Sequence, residues 1–288
     1  MDGNGHYWPG QPPALPPAYY ATPADPLVSP NYEGWWQRGF ALTRQTWKQV
    51  LTVQAVAVLP MAAVTLPVSI RLADESARMM AASQADPRRL PDMSGYFEAA
   101  LPFGALTLLT SLVSVVAMAV CIRLVVLAAT GQPVSIAAAF STGIRRAPAV
   151  VGWGLLAGFV YIAAILACFL PIFYVAAALM VLPVVVTLER GSGIGRCFAL
   201  FNADIGTSVA RVATLFGISV GSAFVAGVLG AGFETIAGGT AGVLFSTVFN
   251  SITALAISVI VAPLLVAAYA DMRSRREPFS TAYLTEPA

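Results

Sequence analysis

The longest uncharged stretch of the chain runs for forty-two residues, from Ala147 to Leu188. A helix rises 1.5 Å per residue and needs about 20 residues to cross the hydrocarbon core of a bilayer, so this stretch is long enough for two crossings. The turn between them is predicted at Cys168 to Pro171. Only 10% of the 288 residues are charged and 58% are hydrophobic, whereas about a quarter of the residues in a soluble domain are charged. The sequence therefore predicts an all-α polytopic membrane protein.

Six apolar stretches predict six transmembrane helices within a membrane domain of residues 32–277. The predicted spans are about 49–71, 101–129, 149–168, 171–188, 212–230 and 244–270. Residues 72–98 carry charges of both signs together with Pro87 and Pro91, which predicts a solvated loop after the first span.

The two ends of the chain are predicted to be tails. Residues 1–31 are rich in proline and tyrosine and contain few residues that could form a core, which predicts a disordered tail. Its run from Pro12 to Pro17 is either a plain tether or a polyproline ligand for a partner domain. Residues 278–288 are predicted to be a short polar tail.

The distribution of basic residues predicts the orientation. Six crossings place twelve of the sixteen Lys and Arg residues on the side of the termini and leave Arg71, Arg78, Arg88 and Arg89 on the other. Cytoplasmic segments are enriched in these residues, so both termini are expected in the cytoplasm. The net charge of +2 does not favour a nucleic-acid partner.

Amphipathic segments near Trp35–Lys48, Ser135–Arg146 and Ser192–Ile205 predict three cytoplasmic interfacial helices, one before each pair of spans. The first of them could instead extend the first span. Together they suggest a threefold repeat of interfacial helix, span out and span back. The alternative is that helical hairpins in membranes resemble one another without repetition.

Few charged residues are candidates for a functional site. Arg123 lies inside the second span, where it is either an anchor that extends to the headgroups or a partner in a buried ion pair or ligand contact. Glu189, Asp204 and Asp271 lie at cytoplasmic helix ends, where Arg190, Arg196 and Arg273 are expected to be their partners. Ion pairing is favoured there over cation binding. Three scattered cysteines argue against a disulfide framework or a metal site.

Two of these segments resemble a known family. The run Val184–Glu189 followed by Gly191, Ile194 and Arg196, and the ending Tyr269–Glu277, resemble bacterial membrane proteins of the glycerophosphoryl diester phosphodiesterase membrane-domain family. The resemblance covers about Trp35 to Glu277. It departs at Cys197, Phe198 and Ala199, where the family often has Ser, Trp and Arg, which puts a basic face of that helix in doubt. It implies a location in the bacterial plasma membrane and, for members without the enzyme domain, no established activity.

No catalytic pattern accompanies the resemblance. The only histidine is His6, so a histidine general base is missing from the membrane domain, and Gly191–Gly195 lacks the Lys and Ser/Thr of a phosphate loop. The sequence thus predicts a non-enzymatic protein without cofactor. It is expected to organise envelope lipids or membrane partners, contacted through the Pro-rich tail or the cytoplasmic face. The alternative is a transporter or lipid-handling permease, for which Arg123, Gln54 and Asn250 would have to face one cavity.

Overall fold

The computed structural model describes residues 20–88, 90–167 and 170–284. Its α-helices are α1 Tyr32–Ala85, α2 Ser94–Ala129, α3 Ile136–Leu166, α4 Pro171–Leu179, α5 Leu182–Leu188, α6 Ile194–Phe201, α7 Ile205–Ala237 and α8 Gly239–Arg276. A short 3-10 helix, Thr281–Leu284, follows α8. The predicted turn at Cys168 lies partly outside the described residues.

Within the described part of the chain, six helices are long and apolar enough to cross a membrane, with α4 and α5 together forming the fourth. Pro183 stands in the first turn of α5, where a proline is tolerated because the missing N–H would have no helical partner. The predicted fold class, an all-α polytopic membrane protein, is confirmed.

Helix α1 is continuous over 54 residues and differs from the prediction at both ends. The predicted interfacial helix at Trp35–Lys48 is its first part, because nothing between Lys48 and the apolar stretch interrupts the helix. The predicted solvated loop at 72–98 is helical as far as Ala85, since its Ala, Met, Glu and Arg residues favour helix. The loop that remains connects Ala85 to Ser94.

The second predicted interfacial helix also continues into a span. Ser135 caps α3 by accepting a hydrogen bond from the backbone of Ala138, and the helix passes through Pro148 without ending. Only α6 stands alone before a span. Gly191, with a φ of 73°, ends the segment before it, and Asp204 caps α7 after it. The three hairpins of the suggested repeat, α1–α2, α3–α5 and α7–α8, are thus preceded by different structures.

The buried core lies at the end of the bundle where α1 begins and α8 ends, called the terminal end below. Ala262–Met272 of α8 is buried throughout, and Leu182–Leu188 is mostly buried against it. Trp35 donates its Nε1–H to the carbonyl of Leu264, and Gly39 allows α1 to pack closely on the same leucine. The opposite end, where α1 joins α2 and α7 joins α8, is called the distal end.

The predicted tails are partly packed. Leu27, Val28 and Ser29 are buried, as are Phe279, Ser280 and Thr281, so residues 20–31 and 278–284 belong to the folded terminal end. Although the two segments are polar or proline-rich overall, each contains a large apolar side chain, Leu27 or Phe279, that packs in the core. Residues 1–19, with the polyproline run, and 285–288 lie outside the described residues.

Candidate functional site

Three of the predicted charged residues, Glu189, Arg196 and Arg273, meet Glu277 beside α6 and form a closed network. The Nε of Arg196 donates to Glu189 at 2.8 Å, and its Nη2 donates to Glu277 at 2.6 Å. The Nε of Arg273 donates to the same oxygen of Glu277 at 2.6 Å. The hydroxyl of Tyr269 joins the two halves by donating to Glu189 at 2.6 Å and accepting from Arg273 at 2.8 Å. We call these five residues the Glu189 network.

The electrostatics of the network favour the charged forms of Glu277 and Arg196. Burial by itself would raise the pKa of Glu277, but hydrogen bonds from Arg196 and Arg273 outweigh burial and hold the pKa below its ordinary value of 4.5. Burial likewise disfavours the charge on Arg196, yet its bonds to Glu277 and Glu189 raise its pKa. Two carboxylates balance two guanidiniums, so the Glu189 network stabilises the fold and presents no unused carboxylate.

Asp271 belongs to a second, deeper ion pair. Its carboxylate accepts a hydrogen bond from Nε of Arg211 at 2.7 Å, and the side chains are 0% and 2% exposed. The backbone N–H of Ser29 donates to the other oxygen. The predicted partners of Glu189, Asp204 and Asp271 were Arg190, Arg196 and Arg273 as a group. For two of the acids this was wrong, because Asp271 pairs with Arg211 and Asp204 pairs with Arg275 at 2.7 Å.

Asp25 connects the two ends of the chain and was missed by the sequence analysis. Its carboxylate accepts from the backbone of Leu27 and Val28 at 2.9 and 2.8 Å. It also accepts from the backbone and hydroxyl of Thr281. The signal in the sequence is an Asp followed two residues later by Leu27. An Asp side chain often accepts a hydrogen bond from the backbone two residues later, which forms an Asx turn.

Arg123 has a different environment from the paired arginines. It is half-buried on α2 and forms no ion pair with a carboxylate in the described part of the chain. Its charged neighbour is Arg146 of α3. The two helices touch closely between them, since a Cβ at Gly143 would lie 2.7 Å from Cγ2 of Val120. Two like charges therefore lie near this crossing without a carboxylate to balance them.

Arg123, Gln54 and Asn250 do not line one cavity. Gln54 is buried and contacts Sγ of Cys121 at 3.6 Å, whereas Asn250 lines a cleft at the distal end that neither Gln54 nor Arg123 reaches. The arrangement required for the predicted transporter site is absent.

The distal cleft has a volume of about 760 Å³ and is lined partly by polar side chains. It opens between α1 and α2 on one side and α7 and α8 on the other. Glu234 of α7 lies at its margin and accepts a hydrogen bond from the hydroxyl of Ser246 at 2.7 Å. Glu234 was not among the predicted site residues, because only the packing of α7 on α8 brings it to the cleft.

Reactive groups are few in the described part of the chain. No three His, Cys, Asp or Glu residues there lie close enough to hold a metal ion. Cys121 and Cys197 are free and buried, and burial raises the pKa of the Cys197 thiol to about 12. The Cys197 thiol is therefore protonated at neutral pH, and both thiols are shielded from solvent.

The fold and these sites define a helical multi-pass membrane protein with a charged, well-packed terminal end and an open distal end. No protein-family model matches the chain, and no curated protein or solved structure matches it. The resemblance to the phosphodiesterase membrane-domain family stays a prediction from the residues quoted above.

Proposed function

We propose that this chain is a non-enzymatic protein of the bacterial plasma membrane that holds anionic lipid headgroups at its terminal end, with both termini in the cytoplasm. The observation that carries the proposal is that the carboxylates at this end are bound by the protein itself, whereas many of the cations have no carboxylate partner in the described residues. Its carboxylates, from Asp25 to Glu277, accept hydrogen bonds from the protein itself. Seven cations, in contrast, form no ion pair with a carboxylate in the described residues. Arg38 and Arg276 donate to backbone carbonyls, and the other five are Arg44, Lys48, Arg123, Arg145 and Arg146.

The surroundings of these cations suit the headgroup layer of a membrane. Trp47 is 45% exposed beside Lys48, whose Nζ lies 5.5 Å from its ring centroid. Phe140 and Ile144 are exposed on α3 next to Arg145. Amphipathic surfaces of this kind place aromatic and aliphatic groups among acyl chains and cations among phosphates.

An apolar groove begins near the arginines and supports a lipid as the occupant. The groove has a volume of about 360 Å³ and lies between α1, α2 and α3. Val120, which lines it, precedes Arg123 by one helical turn, and Phe140 of α3 forms its opposite wall. A phosphate bound by Arg123 and Arg146 would direct an acyl chain into this groove.

The proposal is tested by lipid retention in the purified protein. In native mass spectrometry, the wild-type chain is expected to retain phosphatidylglycerol or cardiolipin in preference to phosphatidylethanolamine. The double variant Arg123→Gln/Arg146→Gln should weaken anionic-lipid binding roughly 30-fold, because each cation near a membrane surface contributes about 1 kcal/mol. The matched control Arg71→Gln/Arg78→Gln removes two cations from the distal end and should leave retention unchanged. Equal retention of both lipid classes by the wild type would refute the proposal.

A second candidate function, a transporter or lipid-handling permease, is favoured by one observation, the polar cleft at the distal end. Transport would require this cleft to open to the other side of the membrane as well. Uptake of a ligand of the cleft into proteoliposomes would favour this function, whereas lipid retention without uptake favours the first.

A further inference from the structure

The distal cleft is large enough for a small ligand, and its walls are partly polar and partly apolar. Polar residues of α1 and α8 face each other across it, and apolar residues form the remaining walls. The hydroxyl and amide residues are Thr65, Ser69, Ser76, Thr110, Ser246, Thr247, Asn250 and Ser251. Its volume of about 760 Å³ falls within the range of ligand pockets, roughly 300–1,000 Å³.

The hydroxyl groups of the cleft are available mainly as acceptors. A Ser or Thr hydroxyl has a single hydrogen, and here it is used within the helix that carries it. Thr65 donates to the carbonyl of Met61 at 2.9 Å and Ser69 to that of Leu66 at 2.8 Å. The same local bond is formed by Ser76, Thr110, Thr247 and Ser251. Their lone pairs remain free to accept hydrogen bonds from a ligand.

Glu234 and its neighbours add stronger acceptors at the margin of the cleft. Ser246 uses its hydrogen on Oε1 of Glu234, and Oε2 forms no hydrogen bond with any described residue. Asn250 donates one amide hydrogen to the carbonyl of Ser246 at 2.8 Å, which leaves its oxygen as an acceptor and one hydrogen as the main remaining donor. Among the described residues, Glu234 is the one charged residue that lines the cleft. The polar groups therefore match a ligand that brings hydrogen-bond donors and positive charge.

The position of Glu234 is fixed by the turn between α7 and α8. Gly238 and Gly239 have φ values of 64° and 47°, which glycine adopts readily. Gly242 then packs against α7 so closely that a Cβ would lie 2.6 Å from Cα of Glu234. The backbone of Glu234 is thus held in place next to the cleft.

Apolar walls below the carboxylate indicate the rest of the ligand. Val58, Phe103, Val243 and Ala254 line the cleft and have no polar group to offer. A metal ion would need more ligands than one carboxylate, and the described residues contain no group of three His, Cys, Asp or Glu that could hold one. A free anion would meet mainly acceptors and a negative charge, with the second amide hydrogen of Asn250 as the main donor. We propose that the distal cleft binds a cationic amphiphile, a primary alkylammonium whose ammonium group pairs with Glu234 and whose chain lies against these apolar walls.

The experiment measures binding of radiolabelled dodecylammonium to the full-length protein in phosphatidylcholine nanodiscs, with empty nanodiscs as the background. Saturable binding is expected for the wild type. Glu234→Gln should weaken it by roughly tenfold or more, because the hydrogen bonds to the ammonium lose their charge assistance. The matched control Glu98→Gln removes an exposed carboxylate that pairs with Arg71 at the same end and should bind like the wild type. Equal affinities of wild type and Glu234→Gln would overturn the proposal.

A second variant tests the cavity separately from the charge. Ala254→Trp keeps Glu234 and fills the apolar part of the cleft, so it should abolish binding of dodecylammonium and of uncharged dodecanol alike. Glu234→Gln should leave dodecanol binding unchanged, and normal dodecylammonium binding by Ala254→Trp would contradict the assignment. If Glu234→Gln does not fold, Ala254→Trp tests the apolar part of the cleft, and the charge is tested by the wild type, which should bind dodecylammonium more tightly than dodecanol. The Arg123→Gln/Arg146→Gln variant should bind dodecylammonium normally, which separates this site from the anionic-lipid site.

Discussion

Arg211 and Asp271 form an ion pair that is almost completely removed from solvent. Such a pair adds little net stability compared with apolar residues of similar size, but loss of one partner leaves an uncompensated buried charge. Arg275 and Asp204 form a pair of similar length whose side chains are about one third exposed, at 31% and 34%. The two pairs allow the effect of burial to be measured within one protein.

Arg211→Met is expected to lower the free energy of unfolding by about 3–5 kcal/mol because Asp271 stays buried without its partner. The control Arg275→Met should cost less than about 1 kcal/mol. The double variant Arg211→Met/Asp271→Leu should recover at least half of the loss. Unfolding by SDS in mixed micelles measures all three, and an Arg211→Met variant as stable as Arg275→Met would show that the pair is not buried in the membrane-embedded protein.

Several residues of the charged sites could be predicted from the sequence, but Asp25, Arg211 and Glu277 could not, and only part of the pairing could. Glu189 and Arg196 are close in the chain and form the expected bond. Asp271 and Arg273 are two positions apart on one helix and point to different sides of it, so the partner of Asp271 comes from α7. Distances between helices depend on packing, which a single sequence does not reveal.

At the scale of helices, the presence of six helices long and apolar enough to cross a membrane was predicted correctly, whereas two of the three predicted interfacial helices are parts of longer helices. Apolar length determines a span, whereas a separate interfacial helix needs a residue that stops it. Gly191 and Asp204 provide such stops around α6. No comparable stop follows Lys48, and Pro148 is accommodated within α3. Amphipathic character alone therefore did not distinguish a separate helix from the first turns of a longer one.

The crossing of α2 and α3 depends on a glycine whose neighbour cannot move easily. A Cβ at Gly143 would lie 3.2 Å from both Cα and N of Val120, besides its contact with the side chain. Gly143→Ala is expected to lower the free energy of unfolding by about 1–3 kcal/mol through overpacking. Gly152→Ala on the same helix meets nothing within 4 Å and should be neutral or stabilising by up to about 1 kcal/mol. Comparison of the two variants by SDS unfolding checks the prediction, which fails if Gly143→Ala is the more stable.

At the scale of the whole molecule, the two ends of the bundle differ in packing and in charge. The terminal end contains most of the buried core and several ion pairs, whereas the distal end is open around the cleft. The sequence could not predict this cleft, because its Ser and Thr residues are spread over three helices and all of them except Ser246 donate their hydroxyl hydrogen within their own helix. Glu234 lies at the cleft only because α7 packs against α8. Because the two proposed sites lie at opposite ends, the orientation of the protein determines which side of the membrane each site faces.

All but four of the sixteen Lys and Arg residues belong, in the sequence, to segments of the terminal end, so we expect this end in the cytoplasm. Single cysteines at two exposed positions can test this in a Cys168→Ser background, since Cys121 and Cys197 are buried. Ser83→Cys reports on the distal end and Gln132→Cys on the terminal end. In bacterial spheroplasts a membrane-impermeant maleimide should label Ser83→Cys directly and Gln132→Cys only after permeabilisation. The reverse pattern would place the unpaired arginines outside the cell, where the anionic lipids of the cytoplasmic leaflet could not reach them.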